Sequence, residues 1–259
     1  MAASPGKKET RTRFGKVADR YRKSIDHTEA EDRNILFSRF ALDPSCSVLD
    51  VATGGGHTAA AIASRVRRVV ASDLTPEMLR EAGILARERG YGNVDFVAAD
   101  AECLPFRTSS FDRVTCRIAP HHFPDVRAAV AEFARVTRPG GLVGIIDSVV
   151  PEDPALDAFL NGIERIRDPS HVRSYRMEEW ISFLTEAGLA LQYISCAWKE
   201  HPFPEWVART GRPETVRREV EDMFLHALPR AKEFFRVKVE NDRVVSYSDE
   251  KGIFVGRKS

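Results

Sequence analysis

The sequence predicts an α/β protein built on a doubly wound, mostly parallel sheet. Short apolar runs alternate with longer amphipathic stretches from residue 46 to residue 150. The connections between them are short, as they are where strands feed helices that pack back on a sheet. Gly54-Gly55-Gly56 stands directly after the first run, where such a sheet opens onto its first helix.

Residues 46–52 carry Val48, Leu49 and Val51 without alternation, as a strand buried on both faces does. Residues 58–65 are Ala-rich and helical, and 67–73 (RRVVASD) read as the second strand. Residues 75–89 form a punctuated helix: Thr75 is placed to cap it, Pro76 suits its first turn and Gly90 ends it. Residues 94–98 and 111–119 read as the third and fourth strands. A helix over 125–136 is stopped by Pro139-Gly140-Gly141, and 142–150 is the fifth strand.

Upstream, residues 1–12 read as a frayed tail and 14–40 as helical, with one stripe of Phe14, Val17, Ala18 and Tyr21 and another of Ile35, Leu36 and Phe40. Past residue 150 the rhythm breaks. Residues 151–175 are partly helical, 177–187 form an amphipathic helix, and 189–198 read as a strand. Residues 203–228 are helical again, with Val216, Val220, Met223, Phe224 and Ala227 on one stripe. Residues 243–248 and 253–258 read as β-structure on either side of 249–252. A single domain over 1–259 is expected. Its core is about 41–150, 176–199 and 250–259; a helical lid is formed by about 12–40, 151–175 and 200–249.

Composition narrows the classes. The 259 residues are 43% hydrophobic and 30% charged, with a net charge of +1, so no global field for nucleic acid exists. No run of about 18 apolar residues occurs, and the basic N-terminal residues precede no apolar stretch; neither a membrane span nor a secretory signal is expected. Cys46, Cys103, Cys116 and Cys196 have no metal-ligand spacing, so free thiols in a cytoplasmic protein are expected, with no metal. The mixed charges between Arg217 and Arg243 read as solvated helix face and strand edges.

The pattern Gly54-x-Gly56-x-x-Ala59, with Asp73 ending the second strand, fits a loose dinucleotide fingerprint. It equally fits a site for S-adenosylmethionine at the same topological position. Both ligands need close backbone approach and an acid for ribose hydroxyls, so the glycines do not decide. Asp50 favours the second reading: a carboxylate repels a pyrophosphate but helps a sulfonium and an ammonium, directly or by orienting the loop. Three later features stand at the ends of successive strands: Asp100-Ala101-Glu102, Ser110-Phe111-Asp112 and Arg138-Pro139-Gly140-Gly141.

Together these residues resemble the class I S-adenosylmethionine-dependent methyltransferases, in the branch of the ubiquinone/menaquinone-biosynthesis C-methyltransferases (methyltransferase type 11). The resemblance covers about residues 14–200. It implies a Rossmann-like seven-stranded sheet whose last strand, 253–258, is antiparallel. It also implies that Ala52, Thr53, Gly54 and Gly56 line the methionine part, Ala52 standing where the family often has glycine. Asp73 then holds the ribose hydroxyls with Leu74 against the adenine, Asp100 takes the adenine amine, Ala101 meets the ring edge, and Arg117 sits near the methionine. Tyr21 lies on a segment resembling the helix that closes over the cofactor, and shares a helix face with Ser24 and His27.

Methyl transfer is an in-line displacement at an activated methyl, so the protein mainly aligns the reactants. A base matters only where the nucleophile must lose a proton. His121 and His122, just past the fourth strand, are the candidate catalytic residues because histidine titrates near neutral pH. As adjacent residues they point apart, which argues against a metal pair. His27, His122, His171, Arg173, Tyr175 and Trp206 are the candidate acceptor contacts. The expected acceptor is a small molecule, aromatic, quinone-like or polyketide-like, methylated on carbon or oxygen. An Asn-Pro-Pro-Tyr type signature of amino-group methylation is missing after the fourth strand, and nucleic acid is not an expected partner. A monomer and a homodimer both remain open. The alternative is a non-catalytic regulatory or scaffold subunit that keeps the cofactor site.

Overall fold

The first apolar run forms β1 (Ser47–Val51), every residue of which is buried, including Asp50. The computed structural model describes residues 5–22 and 31–259. Around β1 the alternation follows the expected order: α3 (His57–Ala63), β2 (Arg68–Asp73), α4 (Pro76–Glu88), β3 (Val94–Ala98), β4 (Phe111–Arg117), α5 (Val126–Val136) and β5 (Thr137–Val150). Before β1 come α1 (Pro5–Arg22) and α2 (Glu31–Arg39). After β5 come α6 (Pro154–Arg167), β6 (Tyr175–Arg176), α7 (Met177–Glu186), β7 (Leu189–Pro202), α8 (Phe203–Arg209), α9 (Glu214–Leu225), α10 (Pro229–Phe234), β8 (Lys238–Glu240) and β9 (Arg243–Lys258).

The main path of the sheet runs β3-β2-β1-β4-β5-β9-β7, with β6 beside β5 and β8 beside β9. Strands β1 to β5 are parallel, and β9 lies antiparallel between β5 and β7. This is the seven-stranded Rossmann-like arrangement with an antiparallel final strand. The chain reverses its winding between β1 and β4, so the ends of those strands open a crevice.

Both faces of the sheet are covered. Phe133, Trp180, Phe183 and Leu184 pack on one side, and Leu36, Phe37, Phe40 and Ile62 on the other. A third cluster joins α6, α8, α9 and α10 to the far halves of β5 and β9 through Leu160, Trp206, Phe224 and Tyr247. Each such apolar side chain removed from water contributes about 2–3 kcal/mol, which fixes this helical layer over the strand ends.

Several boundaries differ from the sequence reading. The first helix starts at Pro5 rather than near Phe14, because Lys7 is tied down by Asp100 and Glu102. Thr75 stands at the N-cap of α4 without a side-chain cap bond; its backbone N–H instead donates to Asp73 Oδ1 at 2.8 Å. The stretch expected as one helix over 203–228 is split into α8 and α9 around Gly211, whose φ is +67°, and Pro213. β9 is one continuous strand. Asp249 and Lys251, which look like turn residues, are buried and paired within the sheet at 2.6 Å. Glu221, expected on a solvated face, is buried and accepts from Arg243 Nε at 2.7 Å and from the Val244 N–H at 3.1 Å.

Candidate active site

The loop after β1 turns sharply. Ala52, Gly54 and Gly56 have φ of +52°, +53° and +86°. For Ala52 the left-handed conformation costs about 1 kcal/mol or more, so the surroundings must hold it. They do so from beneath: the Thr53 N–H donates to Ser72 O at 2.9 Å, and Thr53 Oγ1 donates to Asp50 Oδ2 at 2.6 Å. Asp50 therefore acts on the loop and does not line the cavity. Burial pushes its carboxyl up to about 7, against the hydrogen bond from Thr53. Gly56 also lies outside the lining. A Cβ there would come within 2.7 Å of the Ala82 Cβ, so Gly56 lets α4 pack against the start of α3. Of the two roles expected for Asp50, contact or orientation of the loop, the geometry fits orientation; Gly56 corrects the expectation of direct ligand contact.

Ala52, Thr53, Gly54, Asp73, Leu74, Asp100, Ala101 and Arg117 do line one cavity at the β1–β4 crevice. Asp73 is braced on both oxygens, by the Thr75 N–H at 2.8 Å and the Gly54 N–H at 2.9 Å. Burial raises its pKa while those backbone donors oppose the rise. Asp100 accepts from the Glu102 N–H at 3.0 Å and from Lys7 Nζ at 2.7 Å. Arg117 ends β4 with its guanidinium buried against Asp32, Nε to Oδ2 at 3.0 Å and Nη2 to Oδ1 at 3.1 Å.

The same cavity is also lined by Phe14, His121, His122, Phe123, Arg167, Asp168 and Arg209. His121 and His122 sit on a 3-10 turn, Pro120–His122, which brings both rings to the same cavity with centroids 4.1 Å apart instead of pointing them apart as expected for adjacent residues. His121 Nδ1 lies 2.6 Å from Asp147 Oδ1. His122 Nδ1 lies 3.1 Å from Ser170 O, and Phe14 meets the His122 ring edge-on with centroids 5.1 Å apart. Arg167 and Arg209 are the last residues of α6 and α8, where the negative end of each helix dipole favours a cation.

The segment expected over the acceptor contributes differently than its side chains suggest. Only Asp168 reaches the cavity; the Val172 and Arg173 N–H groups donate to His121 O and hold the histidine turn from behind. His171 is buried away from the cavity, its Nε2 on Asn161 Oδ1 at 2.8 Å. Arg173 turns to Asp157 at 2.8 Å and to Glu179. Tyr175 packs edge-on against Phe183 and Trp180. Trp206 is 2% exposed inside the helical cluster, behind Arg167, whose guanidinium carbon lies 4.4 Å from its ring centroid. These four are corrections: their bulk or charge is spent on the support of the site. Tyr21 lies on α1, but its side chain, like all of Ser24 and His27, falls outside the described residues.

Sequence reasoning missed Lys7, Arg167 and Arg209. Each is one basic residue among many on a helix, and nothing in the local pattern singles it out. Among the described residues no group of three or more His, Cys, Asp or Glu side chains is arranged to hold a metal ion. No helix among them is long and apolar enough to cross a membrane.

A methyltransferase domain model matches residues 49–145, which hold the loop after β1, Asp73, Asp100 and the histidine turn. An uncharacterized methyltransferase of Bacillus subtilis, YcgJ, is 37% identical over 91% of this chain and 94% of its own length. A demethylmenaquinone methyltransferase of Chlorobaculum parvum is 38% identical over 42% of this chain and 44% of its own. A crystal structure from Bacillus halodurans C-125, described as a methyltransferase, superposes with a TM-score of 0.85 at 38% identity, covering 88% of this chain and 99% of that one. The fold and the crevice at the β1–β4 switch point define a class I methyltransferase. The chain belongs to the methyltransferase family.

Proposed function

We propose that the protein transfers a methyl group from S-adenosylmethionine to carbon or oxygen of a small-molecule acceptor of aromatic, quinone-like or polyketide-like type. The single observation that carries this reading is the cavity itself: acids after β2 and β3 line it on one side of β1 in the sheet order, and two histidines after β4 line it on the other. The donor set fits the cofactor. Asp73 lines the cavity with each oxygen braced by a backbone N–H and keeps acceptor capacity for two ribose hydroxyls, and, chain neighbours aside, no heavy atom lies within 4 Å of where a Cβ on Gly54 would stand.

In this reading Ala52, Thr53 and Gly54 hold the methionine part through backbone groups, with Arg117 nearby. Leu74 packs against the adenine, Ala101 presents its N–H to the ring edge, and Asp100 accepts from the exocyclic amine. When bound, the cofactor supplies a methyl group already activated by a sulfonium. The protein's own part is alignment and the exclusion of water, in which Phe14 and Phe123 wall the cavity beside the histidines.

Calorimetry with S-adenosylmethionine and S-adenosylhomocysteine tests the reading. Binding that is abolished in Asp73→Ala supports it; no binding to the parent protein overturns it. A screen of small acceptors with labelled cofactor then separates an enzyme from a non-catalytic subunit.

A further inference from the structure

The two neighbouring histidines at the acceptor end are held by different partners, and the partners fix where their protons sit. Asp147 is fully buried. Its Oδ1 lies 2.6 Å from His121 Nδ1, and its Oδ2 accepts the His121 N–H at 2.8 Å. An ionised carboxylate only accepts, so His121 Nδ1 carries hydrogen. His122 Nδ1 faces Ser170 O at 3.1 Å, and a carbonyl also only accepts. Ser170 Oγ, 3.2 Å from the same nitrogen, donates its own proton to Asp168 and so adds a second acceptor. His122 Nδ1 therefore carries hydrogen as well.

In each ring this leaves Nε2. Neither Nε2 bonds to a described protein group, and neither is sealed from solvent as His171 Nδ1 is. Both rings line the cavity, with centroids 4.1 Å apart. Their surroundings push them in opposite directions. Burial, together with the nearby His121 charge, lowers His122 to about 4 against Asp168, so its Nε2 keeps a free lone pair. Burial opposes the charge on His121 too, but Asp147 on β5, with Glu164 on α6, outweighs it and the repulsion of Lys251 on β9. These neighbours favour the form of His121 in which Nε2 also carries hydrogen. A lone pair on one ring thus stands beside a ring whose buried carboxylate partner favours an N–H on Nε2, a separation of roles that marks acid and base partners.

We propose that His121 and His122 divide the acceptor chemistry: His122 takes the acceptor's proton through Nε2, His121, backed by Asp147, donates to a neighbouring oxygen, and the acceptor is therefore a hydroxyl or enol adjoining a second oxygen. Ortho-hydroxycarbonyl aromatics and enols of 1,3-dicarbonyls have this pairing. The proton passes from the acceptor O–H to His122 Nε2. The oxygen, or the carbon conjugated to it, forms the bond to the methyl carbon. The carbon–sulfur bond breaks with its electron pair staying on sulfur, and His122 returns the proton to solvent. This rests on the proposed methyl transfer and names its substrate class.

Three measurements test it. Nitrogen-15 NMR of histidine-labelled protein at pH 7, unliganded and with S-adenosylhomocysteine, reads the protons directly; single His→Asn variants assign the signals. His122 is expected as the neutral Nδ1–H form and His121 with both nitrogens protonated. An Nε2–H form of His122, or a neutral His121, overturns the division of roles. Second, salicylate and 2-hydroxyacetophenone are titrated into the S-adenosylhomocysteine complex beside their para isomers. At least tenfold preference for the ortho compounds, lost in His121→Asn, is expected. Equal affinity, or no binding of the ortho compounds, overturns the acceptor class. With an ortho compound that turns over, His122→Asn is expected to lower kcat at least a hundredfold at little change in KM, and His121→Asn to raise KM; the reverse split also overturns it. Failure of the cofactor itself to bind counts against the methyl-transfer reading alone, since the NMR of the unliganded protein still reports on the histidines.

Discussion

Lys7 Nζ lies 2.7 Å from Asp100 Oδ2, tying α1 across 93 positions to the loop after β3. Glu102 shares the same ammonium. This tie keeps α1 over the end of the cavity where the adenine is expected. Lys7→Met leaves the two carboxylates without their cation. Partly exposed pairs of this kind contribute about 1 kcal/mol, so S-adenosylhomocysteine is expected to bind about fivefold more weakly. Calorimetry gives the affinity, and trypsin is expected to cut faster at Arg11 and Arg13. Unchanged cleavage would show that α1 is held by its other contacts.

Asp73→Asn keeps the shape of the side chain but removes its charge and one acceptor. Hydrogen bonds to a charged group are worth about 1.5–3 kcal/mol each, so cofactor affinity is expected to fall by about two orders of magnitude. The thermal unfolding midpoint in the absence of ligand is expected to move much less. A loss of the fold instead would mean that the Gly54 and Thr75 bonds to Asp73 are its main role.

Asp50 gives the protein a pH dependence of definite sign. Its folded pKa, pushed up to about 7, lies above the ordinary value of 3.8. The folded state therefore holds this proton more tightly than the unfolded chain does. Its contribution to stability is full below about pH 4 and is lost as pH rises through 7. Relative to the parent, Asp50→Asn is expected to gain about 1–3 kcal/mol between pH 4 and pH 8. Urea unfolding of both proteins across that range checks it, and parallel curves would refute it.

Arg117 and Asp32 form an ion pair with side chains only 3% and 6% exposed. Removing one partner strands the other charge inside the protein. Arg117→Met is expected to cost about 3–5 kcal/mol, read from the urea midpoint. Addition of Asp32→Leu is expected to return part of that loss, because the stranded carboxylate is then gone.

Trp206 separates a structural role from an acceptor contact. Trp206→Ala empties a packed position and is expected to cost about 3–5 kcal/mol of stability. Affinity for S-adenosylhomocysteine, measured well below the melting range, is expected to stay within about twofold, since Trp206 does not itself line the cavity.

The sheet was legible because its signals are local. Val48, Leu49 and Val51 are apolar without alternation, and such a run fits only a strand covered on both faces. That Asp73 and Asp100 line one crevice was legible for a related reason: topology puts strand ends together, whatever the helices do. The part of the cavity proposed for the acceptor depends on which way a side chain turns. Arg167 and Arg173 are six positions apart, and only the packing of α6 on Trp206 decides that the first lines the cavity while the second pairs with Asp157. Buried charge misled for the same reason: Asp249, Lys251 and Glu221 look like surface until their partners are seen.

β9 passes from the sheet into the helical layer without a break. Ile253, Phe254 and Val255 belong to the cores on either face of the sheet, whereas Val244 and Tyr247 floor the cluster formed by α6, α8 and α9. Helices α6, α8 and α9 are thus bolted to the same beam that completes the scaffold. A graft of residues 203–240 from a relative would not carry its acceptor preference with it unless Val244 and Tyr247 were exchanged too. On the proposed reading the cap is not an interchangeable module, and re-targeting the acceptor would mean redesigning half a strand of the sheet along with it.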